Sequence, residues 1–329
     1  MRALWLRTLG GPEALRIEEV PDPVPGKGEL LVAMRAAAVN FPDLLTTEGK
    51  YQLRPELPFA PGKEGAGVVA AVGEGVTHFK AGDRVMVQAD WGTFAERTIA
   101  REHECYRMPD GIDFDVAAAI GLAFQTAHFA LVDRAQVLPG ETVLVTGASG
   151  SVGIAAMQLA KVFRCTVIAG LTTMAKADEA RANGADHVID LSLSNPRDSV
   201  RDQMLALTGG NGVDAVIEIV GGDVFAGALR GLAFRGRLVV VGFTSGTIPE
   251  VKVNYLLLRN IAVLGVDRTK YRDLTPDWMR CVQDEIFKLC LDGKIRMPIQ
   301  ARYPMADYMK AFDVIRGRAV RGKVVLTMG

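Results

Sequence analysis

The segment with the clearest chemical meaning is a glycine-rich stretch at residues 146–153, Thr-Gly-Ala-Ser-Gly-Ser-Val-Gly. A strand pattern at 142–145 precedes it, and a helix pattern at 152–163 follows it. Such a turn lets the backbone approach a pyrophosphate and lets the helix pack closely on the strand. The free N–H groups and the positive dipole end of the helix also favour phosphate. We therefore predict a dinucleotide site formed by Ala148, Ser149, Gly150, Ser151, Val152 and Gly153.

The second strand of the same pattern, residues 166–169, is followed by Gly-Leu-Thr-Thr and by no carboxylate. A site for NAD usually carries Asp or Glu at this point to hold the ribose 2′-hydroxyl, and that charge would repel a 2′-phosphate. Thr172, Thr173 and Lys176 can instead offer hydroxyl donors and a cation. We therefore predict that the cofactor is NADP(H). Two plainer roles stay open, Thr173 as a helix N-cap and Lys176 as a solvated side chain.

These residues lie in a stretch where strand and helix patterns alternate. Gly150 and Gly153 fit the second and third glycine roles of the motif, whereas Ala148 replaces the first. The motif alone is weak, and a plain glycine-rich turn is the alternative, but further strands follow it in step. The predicted strands are 142–145, 166–169, 187–189, 215–219, 238–241 and 261–264, and the predicted helices are 152–163, 176–183, 197–207 and 225–232. Several strands are continuous apolar runs, which indicates an α/β fold with a doubly wound parallel sheet.

The residues on either side of this stretch follow another pattern. Short β-like runs at 30–34, 67–72, 83–88 and 94–99 are bounded by Gly, Pro and Asp, and a helix is predicted over 113–132. After residue 265 the alternation stops, with helices predicted at 278–291 and 306–316 and a strand at 322–327. The simplest organisation is a β-rich domain, 1–122 and 264–329, into which an α/β domain, 123–263, is inserted.

The composition restricts the class of protein. The 329 residues suffice for two domains, and 38 basic against 38 acidic residues leave no formal net charge. Binding to nucleic acid or to an acidic membrane draws on a basic surplus, so we expect neither partner. The four cysteines lie far apart without a CxxC pair, and the first residues have too short an apolar run for a signal peptide. No stretch approaches the length of a membrane span, so we expect a cytoplasmic protein with reduced thiols.

Six different short motifs are distributed along essentially the full length of the chain. They are Ala-Val-Asn-Phe-Pro-Asp at 38–43, Pro-Gly-Lys-Glu-Gly-Ala-Gly at 61–67, Ala-Gly-Asp-Arg-Val at 81–85, the glycine turn with Gln-Leu-Ala-Lys at 158–161, Gly-Ala-Asp at 184–186 and Gly-Lys-Val-Val-Leu at 322–326. In this order and spacing they resemble the medium-chain dehydrogenases/reductases, and within them the quinone oxidoreductase (zeta-crystallin-like) family. The resemblance implies a GroES-like β-rich catalytic domain, an inserted Rossmann domain and a cleft between the two.

The same resemblance bears on metal binding. Zinc-dependent relatives hold a catalytic zinc through Cys, His and a further Cys or Asp. This chain has Lys63 in the place of their histidine, Asn40 near the place of their first cysteine, and no loop with four close cysteines. We therefore expect no metal site, and we interpret the adjacent Glu64 as a structural or supporting residue.

The resemblance also assigns site residues by their position in the motifs. Asn40 and Tyr51 are expected beside the nicotinamide as the catalytic residues, with Thr126 as a cofactor contact where the domains join. Residues that follow the fourth and fifth strands of the α/β domain are expected near the nicotinamide, and these are Gly221, Gly222, Gly242, Phe243, Thr244 and Ser245. Arg318 and Lys323 are expected to reach the phosphates. Plainer roles are a turn cap for Asn40, a packed aromatic for Tyr51 and a solvated helix end for Arg318.

The expected reaction is hydride transfer from C4 of NADPH to a quinone, an acceptor that is electrophilic without a metal. The negative charge on the acceptor oxygen would be stabilised by the Asn40 side-chain N–H, the Tyr51 hydroxyl or a backbone N–H near Phe243. One alternative is reduction of the activated C=C bond of an enone, 2-alkenal or enoyl thioester. The other is a non-enzymatic structural or regulatory role that uses NADPH binding alone. The family commonly forms homodimers through sheet edges, which the apolar run at 261–266 would provide here.

Overall fold

The computed structural model describes residues 1–317 and 320–328. The chain forms two compact units: the first unit comprises Met1–Leu122 and Lys270–Gly329, and the second unit comprises Ala123–Thr269. The sequence predicted the return to the first unit at residue 264. The return falls instead inside a continuous helix, Arg268–Leu274, so no break in the sequence pattern marks it.

Short strands dominate the part of the chain that precedes residue 135. The strands are β1 (Arg2–Leu6), β2 (Leu15–Glu19), β3 (Glu29–Val39), β4 (Glu64–Val72), β5 (Arg84–Val87), β6 (Arg97–Arg101) and β7 (Cys105–Arg107). The helices are α1 (Phe41–Thr47), which has a proline in its first turn, and α2 (Phe114–His128), which continues into a π-helical turn at Phe129–Arg134. Proline suits a first turn because its missing N–H would have no helical partner there.

The second unit alternates strands and helices, as the sequence predicted, with one further helix, Val253–Arg259, that was not predicted. Its strands are β8 (Thr142–Thr146), β9 (Thr166–Leu171), β10 (His187–Asp190), β11 (Val213–Glu218), β12 (Leu232–Val240) and β13 (Ala262–Gly265). Its helices are α3 (Ser151–Val162), α4 (Ala177–Ala182), α5 (Pro196–Leu207), α6 (Gly222–Arg230) and α7 (Val253–Arg259). The chain then continues through α8 (Arg268–Leu274), α9 (Pro276–Leu291), β14 (Ile299–Pro304), α10 (Tyr308–Arg316) and β15 (Lys323–Thr327).

The sheet of the first unit is built around the long strand β3. Strand β15 pairs with residues 36–39 of β3 and β6 pairs with residues 29–33, while β4 occupies the other edge. The full order is β14-β15-β3-β4-β5-β7, and all pairs are antiparallel except β14 with β15. The sheet therefore brings β15, the last strand of the chain, beside the residues that end β3 and begin β4.

The sheet of the second unit has six parallel strands in the order β10-β9-β8-β11-β12-β13. The chain starts at the centre with β8, moves outward to β10, returns to β11 and moves outward on the other side. This order confirms the predicted doubly wound α/β fold. The direction reverses between β8 and β11, and ligands of such sheets bind outside the carboxyl ends of the strands at that point.

Helix α2 with its π-helical turn, Phe114–Arg134, is long and apolar enough to cross a membrane by length and composition. We expected no stretch of this length from the sequence, so that expectation is wrong for this segment. Most of the apolar residues of the helix are buried inside the protein. Because a helix that is apolar on all sides must be covered, this burial is what a core helix of a globular protein shows.

Candidate functional site

The glycine turn joins the carboxyl end of β8 to the amino end of α3. Gly147 has a φ of +62°, which favours glycine. A Cβ on Gly153 would lie 2.5 Å from the Gly147 carbonyl oxygen and 2.6 Å from the Ala148 Cα, so only glycine lets the helix pack this closely on the turn. A Cβ on Gly150, the N-cap residue of α3, would meet nothing closer than 3.5 Å. The backbone at Gly150 is therefore open to an approaching group.

The first turn of α3 presents N–H groups that the helix itself cannot use. The first helical hydrogen bond after the turn runs from the Ile154 N–H to the Gly150 carbonyl, at 2.8 Å. Ser149, Ser151 and Val152 are half-buried, so this end of the helix is not covered completely. Orphan N–H groups at a helix end that also carries a positive dipole suit a phosphate group. These features fit the pyrophosphate of a dinucleotide.

The residues after β9 are polar and lack a carboxylate. Thr172 and Thr173 are exposed, and Lys176 is half-buried in the 3₁₀ turn Met174–Lys176. Thr173 stands at the cap position of that turn, but its side chain makes no capping hydrogen bond. Asp178 is fully exposed inside α4 and pairs with Arg181 at 3.0 Å. No acidic side chain therefore holds the position after β9 that would repel a 2′-phosphate.

The loops after β11 and β12 lie against each other at the same edge of the sheet. The Thr244 N–H donates to the Ile219 carbonyl at 3.0 Å, and the Ser245 N–H donates to the Val220 carbonyl at 2.9 Å. Gly221 has a φ of +81°, and a Cβ there would lie 3.3 Å from a ring carbon of Phe243. The structure thus brings together the predicted residues Gly221, Gly222, Gly242, Phe243, Thr244 and Ser245.

Glu218, the last residue of β11, is a buried residue of this edge that was not predicted from the sequence. Its carboxylate accepts hydrogen bonds from the Thr146 hydroxyl at 3.1 Å and from the N–H groups of Val220 and Gly221, each at 2.9 Å. Burial raises the pKa of Glu218 above its ordinary value, and these hydrogen bonds oppose the rise. The signal in the sequence was a single carboxylate that ends an otherwise apolar strand, Ala-Val-Ile-Glu at 215–218.

Thr126 lies on α2, on a part of the helix that belongs to the second unit. Thr126 is 8% exposed, and its neighbour Gln125 is fully buried. Gln125 accepts a hydrogen bond from the Arg268 guanidinium at 3.3 Å. The position of Thr126 as a cofactor contact remains a prediction.

Asn40, at the start of α1 in the first unit, is held on both ends of its amide. Its Nδ2 group donates to the Ala38 carbonyl at 3.3 Å and to Glu64 Oε1 at 3.0 Å, and its Oδ1 atom accepts from Lys323 Nζ. Both amide hydrogens are thus used inside the unit. This geometry corrects the expected role of Asn40 as an N–H donor to the acceptor, because no amide hydrogen is left for that bond.

Glu64 is the centre of this buried cluster. Its Oε1 atom pairs with Lys323 Nζ, and its Oε2 atom accepts from Gln88 Nε2 at 3.1 Å and from the Leu122 N–H at 2.8 Å. Glu64 is fully buried and Lys323 is 1% exposed. The expected contact of Lys323 with cofactor phosphates is therefore corrected, because its ammonium is buried against Glu64 and Asn40. Arg318, the other residue expected there, lies outside the described residues.

Lys63 and Asp43 add two more buried charges beside this cluster. Lys63 Nζ donates to the Asp90 carbonyl at 2.9 Å and lies 4.2 Å from the centroid of the half-buried Tyr51 ring. Asp43 Oδ2 accepts the Asn40 N–H at 2.8 Å, whereas its Oδ1 atom has no hydrogen-bond partner in the part of the chain that the structure describes. Burial raises the pKa of Asp43 to about 6, although the Lys63 charge opposes the rise.

Comparison with known proteins matches both units. The Alcohol dehydrogenase GroES-like domain family model matches residues 26–139, and the Zinc-binding dehydrogenase family model matches residues 151–284. The chain is 37% identical to the quinone oxidoreductase of Pseudomonas aeruginosa over 321 residues, 96% of each protein. It is also 37% identical to the quinone oxidoreductase-like protein 2 of Bos taurus over 317 residues, 95% of this chain and 89% of that protein.

A solved structure supports the same relation. A mycobacterial protein in complex with NADPH is 34% identical, covers 100% of both chains and superposes with a TM-score of 0.91. Identity above 30% over nearly the whole chain confirms the family that the motifs indicated. The chain belongs to the quinone oxidoreductase family of the medium-chain dehydrogenases/reductases.

Proposed function

We propose that this protein is an NADPH-dependent oxidoreductase that reduces a quinone by hydride transfer. The observation that carries the proposal is the carboxyl edge of the parallel sheet, where a phosphate-binding glycine turn lies beside a strand that ends without a carboxylate. The related proteins are named quinone oxidoreductases, and the mycobacterial structure holds NADPH. When bound, NADPH supplies the hydride from C4 of its nicotinamide ring.

The second unit would hold the cofactor, and we propose it as the Rossmann domain. The turn residues from Ala148 to Gly153 would surround the pyrophosphate. The donors would be the N–H groups in the first turn of α3, because the Ala148 and Gly150 N–H groups already donate to the Gly170 and Gly147 carbonyls. Thr172, Thr173 and Lys176 would bind the 2′-phosphate through two hydroxyls and one cation. This set would give a preference for NADPH over NADH, because NADH has no 2′-phosphate for the Lys176 cation to bind.

The nicotinamide half would lie on the other side of the strand reversal, against the loops after β11 and β12. The absence of a side chain at Gly221 lets the loop after β12 approach its backbone closely, and backbone groups of Gly242, Phe243 and Thr244 follow on that neighbouring loop. Such backbone groups can hold a carboxamide in one orientation. We include Thr126 as a further cofactor contact from α2.

The acceptor side would use Tyr51. Since Asn40 spends both amide hydrogens inside the first unit, the Tyr51 hydroxyl is the remaining side-chain donor proposed for the acceptor oxygen. Lys63 places its cation over the Tyr51 ring, at 4.2 Å. A cation on the ring face both fixes the ring and favours negative charge nearby. Asn40 would then act as a structural residue that orders Glu64 and Lys323.

We propose that zinc takes no part in the reaction. Lys63 stands where zinc-dependent relatives need a histidine, and Lys323 Nζ already pairs with the Glu64 carboxylate. Within residues 1–317 and 320–328, no group of three or more His, Cys, Asp or Glu side chains is placed to hold a metal ion. Two buried ammonium groups beside two buried carboxylates do not form a donor set that zinc prefers.

An assay of NADPH consumption with several acceptors tests this function. We expect turnover with an ortho-quinone, a higher efficiency with NADPH than with NADH, and no loss after treatment with a chelator. Turnover confined to an enone, a 2-alkenal or an enoyl thioester would replace the quinone by an activated C=C bond. Binding of NADPH without turnover on any acceptor would support a non-enzymatic role.

We propose that two copies of the chain pair through the free edge of β13. This strand ends the six-stranded sheet, so its outer backbone groups have no strand partner among the described residues. Five large apolar side chains on β12 and on the segment between β12 and β13 are 72% to 77% exposed, and these are Phe234, Ile248, Val253, Leu257 and Leu258. Exposed apolar area beside a free edge favours pairing with another copy.

The oligomeric state is tested by light scattering after size-exclusion chromatography. We expect a dimer for the wild type and a monomer for Leu257→Asp combined with Leu258→Asp. A Val24→Asp variant is a matched control, because Val24 is 85% exposed but lies in the first unit. A wild type that stays monomeric at all concentrations would remove this part of the proposal.

We further propose a cytoplasmic location. All four cysteines are free, and Cys105 and Cys165 are buried. Burial raises the pKa of the Cys165 thiol to about 11, which keeps it protonated. Free, protonated thiols suit a reducing compartment.

A further inference from the structure

We propose that Glu218 and Thr146 form a positioning pair, which holds three loops of the dinucleotide site in their binding conformation. The inference rests on the proposed NADPH site of the second unit. All residues involved lie in that unit, at the carboxyl ends of β8, β11 and β12. The pair would act on cofactor binding through the loops, without contacting the cofactor itself.

The two side chains connect the strands on either side of the reversal in strand order. Thr146 ends β8 and Glu218 ends β11, and these strands are direct neighbours in the sheet. The Thr146 hydroxyl donates to Glu218 Oε1 at 3.1 Å and accepts the Ile219 N–H at 2.9 Å. The hydroxyl therefore uses its donor and an acceptor at once, and both bonds cross from one strand to the other.

The Glu218 carboxylate fixes the loop that follows its own strand. It accepts the Val220 N–H at 2.9 Å and the Gly221 N–H at 2.9 Å and 3.1 Å. In the described part of the chain no Lys or Arg lies within ion-pair distance of this fully buried carboxylate. A buried carboxylate without a cation depends on its hydrogen-bond donors, so the loop and the carboxylate must stay together.

The third loop is attached to the second by backbone hydrogen bonds. The Gly222 N–H donates to the Thr247 carbonyl at 3.1 Å, and the Ser245 N–H donates to the Val220 carbonyl at 2.9 Å. A Cβ on Gly221 would lie 2.6 Å from the Thr247 carbonyl oxygen, so the two loops touch along their backbones. Through Val220 and Gly221, the position of the loop after β12 depends on Glu218.

The glycine turn is linked to the same pair because it begins at the residue after Thr146. A shift of Thr146 would move Gly147, whose carbonyl oxygen lies against the start of α3. Loops that are ordered before the ligand arrives bind more tightly, because binding then orders fewer groups. Loss of the pair should therefore weaken NADPH binding more than it disturbs the acceptor site.

The experiment compares Thr146→Val with Thr208→Val. Thr208 offers a matched control in the same unit, because its hydroxyl donates to the Met204 carbonyl at 2.8 Å and accepts the Gly212 N–H at 2.9 Å. Gly212 immediately precedes β11, so this hydroxyl stands at the amino end of the strand that Glu218 ends. Both variants remove one hydroxyl that donates one hydrogen bond and accepts another, and only Thr146 is near the proposed site.

The dissociation constant of NADPH, followed through its own fluorescence, and the thermal midpoint are measured for each variant. We expect Thr146→Val to raise the dissociation constant and KM for NADPH about tenfold, with the KM for the acceptor unchanged. Thr208→Val should lower the thermal midpoint about as much as Thr146→Val does, but it should bind NADPH like the wild type. Thr146→Ser, which keeps the hydroxyl, should restore binding.

A second variant keeps the proposal testable if Thr146→Val does not fold. Glu218→Gln retains the shape of the side chain but removes the charge, and it should raise the dissociation constant in the same way. In the double variant the loss of NADPH binding free energy should be smaller than the sum of the two single losses, because both substitutions remove the same link. Wild-type affinity in Thr146→Val or Glu218→Gln would overturn the pair. Failure of the wild type to bind NADPH would instead overturn the proposed function, and the pair with it.

Discussion

Replacement of Lys323 with methionine tests the ion pair at the centre of the first unit. The Lys323 side chain is 1% exposed, and its ammonium donates to Asn40 Oδ1 and to the fully buried Glu64 carboxylate. Methionine has a similar volume and no charge. The change therefore removes the cation while the carboxylate stays in the interior.

The magnitude follows from what Glu64 retains. Removal of one partner of a buried pair costs about 3–5 kcal/mol, because the other charge is left without compensation. Glu64 keeps hydrogen bonds from Asn40 Nδ2, Gln88 Nε2 and the Leu122 N–H. These donors stabilise part of the remaining charge. We therefore expect Lys323→Met to lower the unfolding free energy of the first unit by about 3 kcal/mol.

Urea unfolding followed by tryptophan fluorescence measures this change. The three tryptophans, Trp5, Trp91 and Trp278, all lie in the first unit, so their signal reports on that unit. Lys310→Met is the control, because Lys310 is 63% exposed in its pair with Asp307 and should cost less than about 1 kcal/mol.

The double variant Lys323→Met with Glu64→Gln separates charge from packing. Removal of both charges should recover part of the loss, because no uncompensated carboxylate remains. The reasoning is refuted if Lys323→Met costs no more than Lys310→Met. It is also refuted if the double variant is no more stable than Lys323→Met alone.

Three further predictions concern single residues. Asp43→Asn should stabilise the first unit by up to about 3 kcal/mol at about pH 8 and by nothing at about pH 4, as urea unfolding at the two pH values will measure. Burial raises the pKa of Asp43 from 3.8 to about 6, so the folded state binds the proton more tightly than the unfolded state does. The wild type therefore loses stability as the pH rises from 3.8 to about 6. Lys176→Ala should raise KM for NADPH about tenfold and leave KM for NADH unchanged in steady-state assays, whereas equal effects would separate Lys176 from the 2′-phosphate. Tyr51→Phe should lower kcat for the quinone about 100-fold with little change in KM for NADPH, and an unchanged kcat would exclude its hydroxyl as the donor.

The fold of the second unit could be predicted because its signals are local. Each strand is a short apolar run, and each helix follows at a spacing that a parallel sheet requires. Helix α1 was not predicted, because its seven residues are too few to show a helical period. The antiparallel pair of β1 and β2 was not predicted for a similar reason, because each strand has only five residues and the two form a separate two-stranded sheet.

The parts of the candidate site formed by consecutive residues could be predicted, and the parts formed by residues distant in the sequence could not. The glycine turn could be predicted because all its residues are consecutive and their roles follow from backbone geometry. The buried cluster could not, because Glu64 and Lys323 lie 259 residues apart and meet only through the pairing of β15 and β4 with β3. Position alone therefore suggested a phosphate contact for Lys323 and a catalytic donor in Asn40. The Thr146–Glu218 bond spans 72 residues and depends in the same way on the strand order.

Consumption of NADPH by the metal-depleted protein in the presence of an ortho-quinone tests the proposed function most directly. The protein is dialysed against a chelator, its metal content is verified, and the rate is compared with that of the untreated protein. We predict the same rate before and after chelation, with NADPH preferred over NADH. Activity that appears only with an alcohol and NADP⁺, and that chelation abolishes, would contradict the proposed zinc-independent quinone reduction.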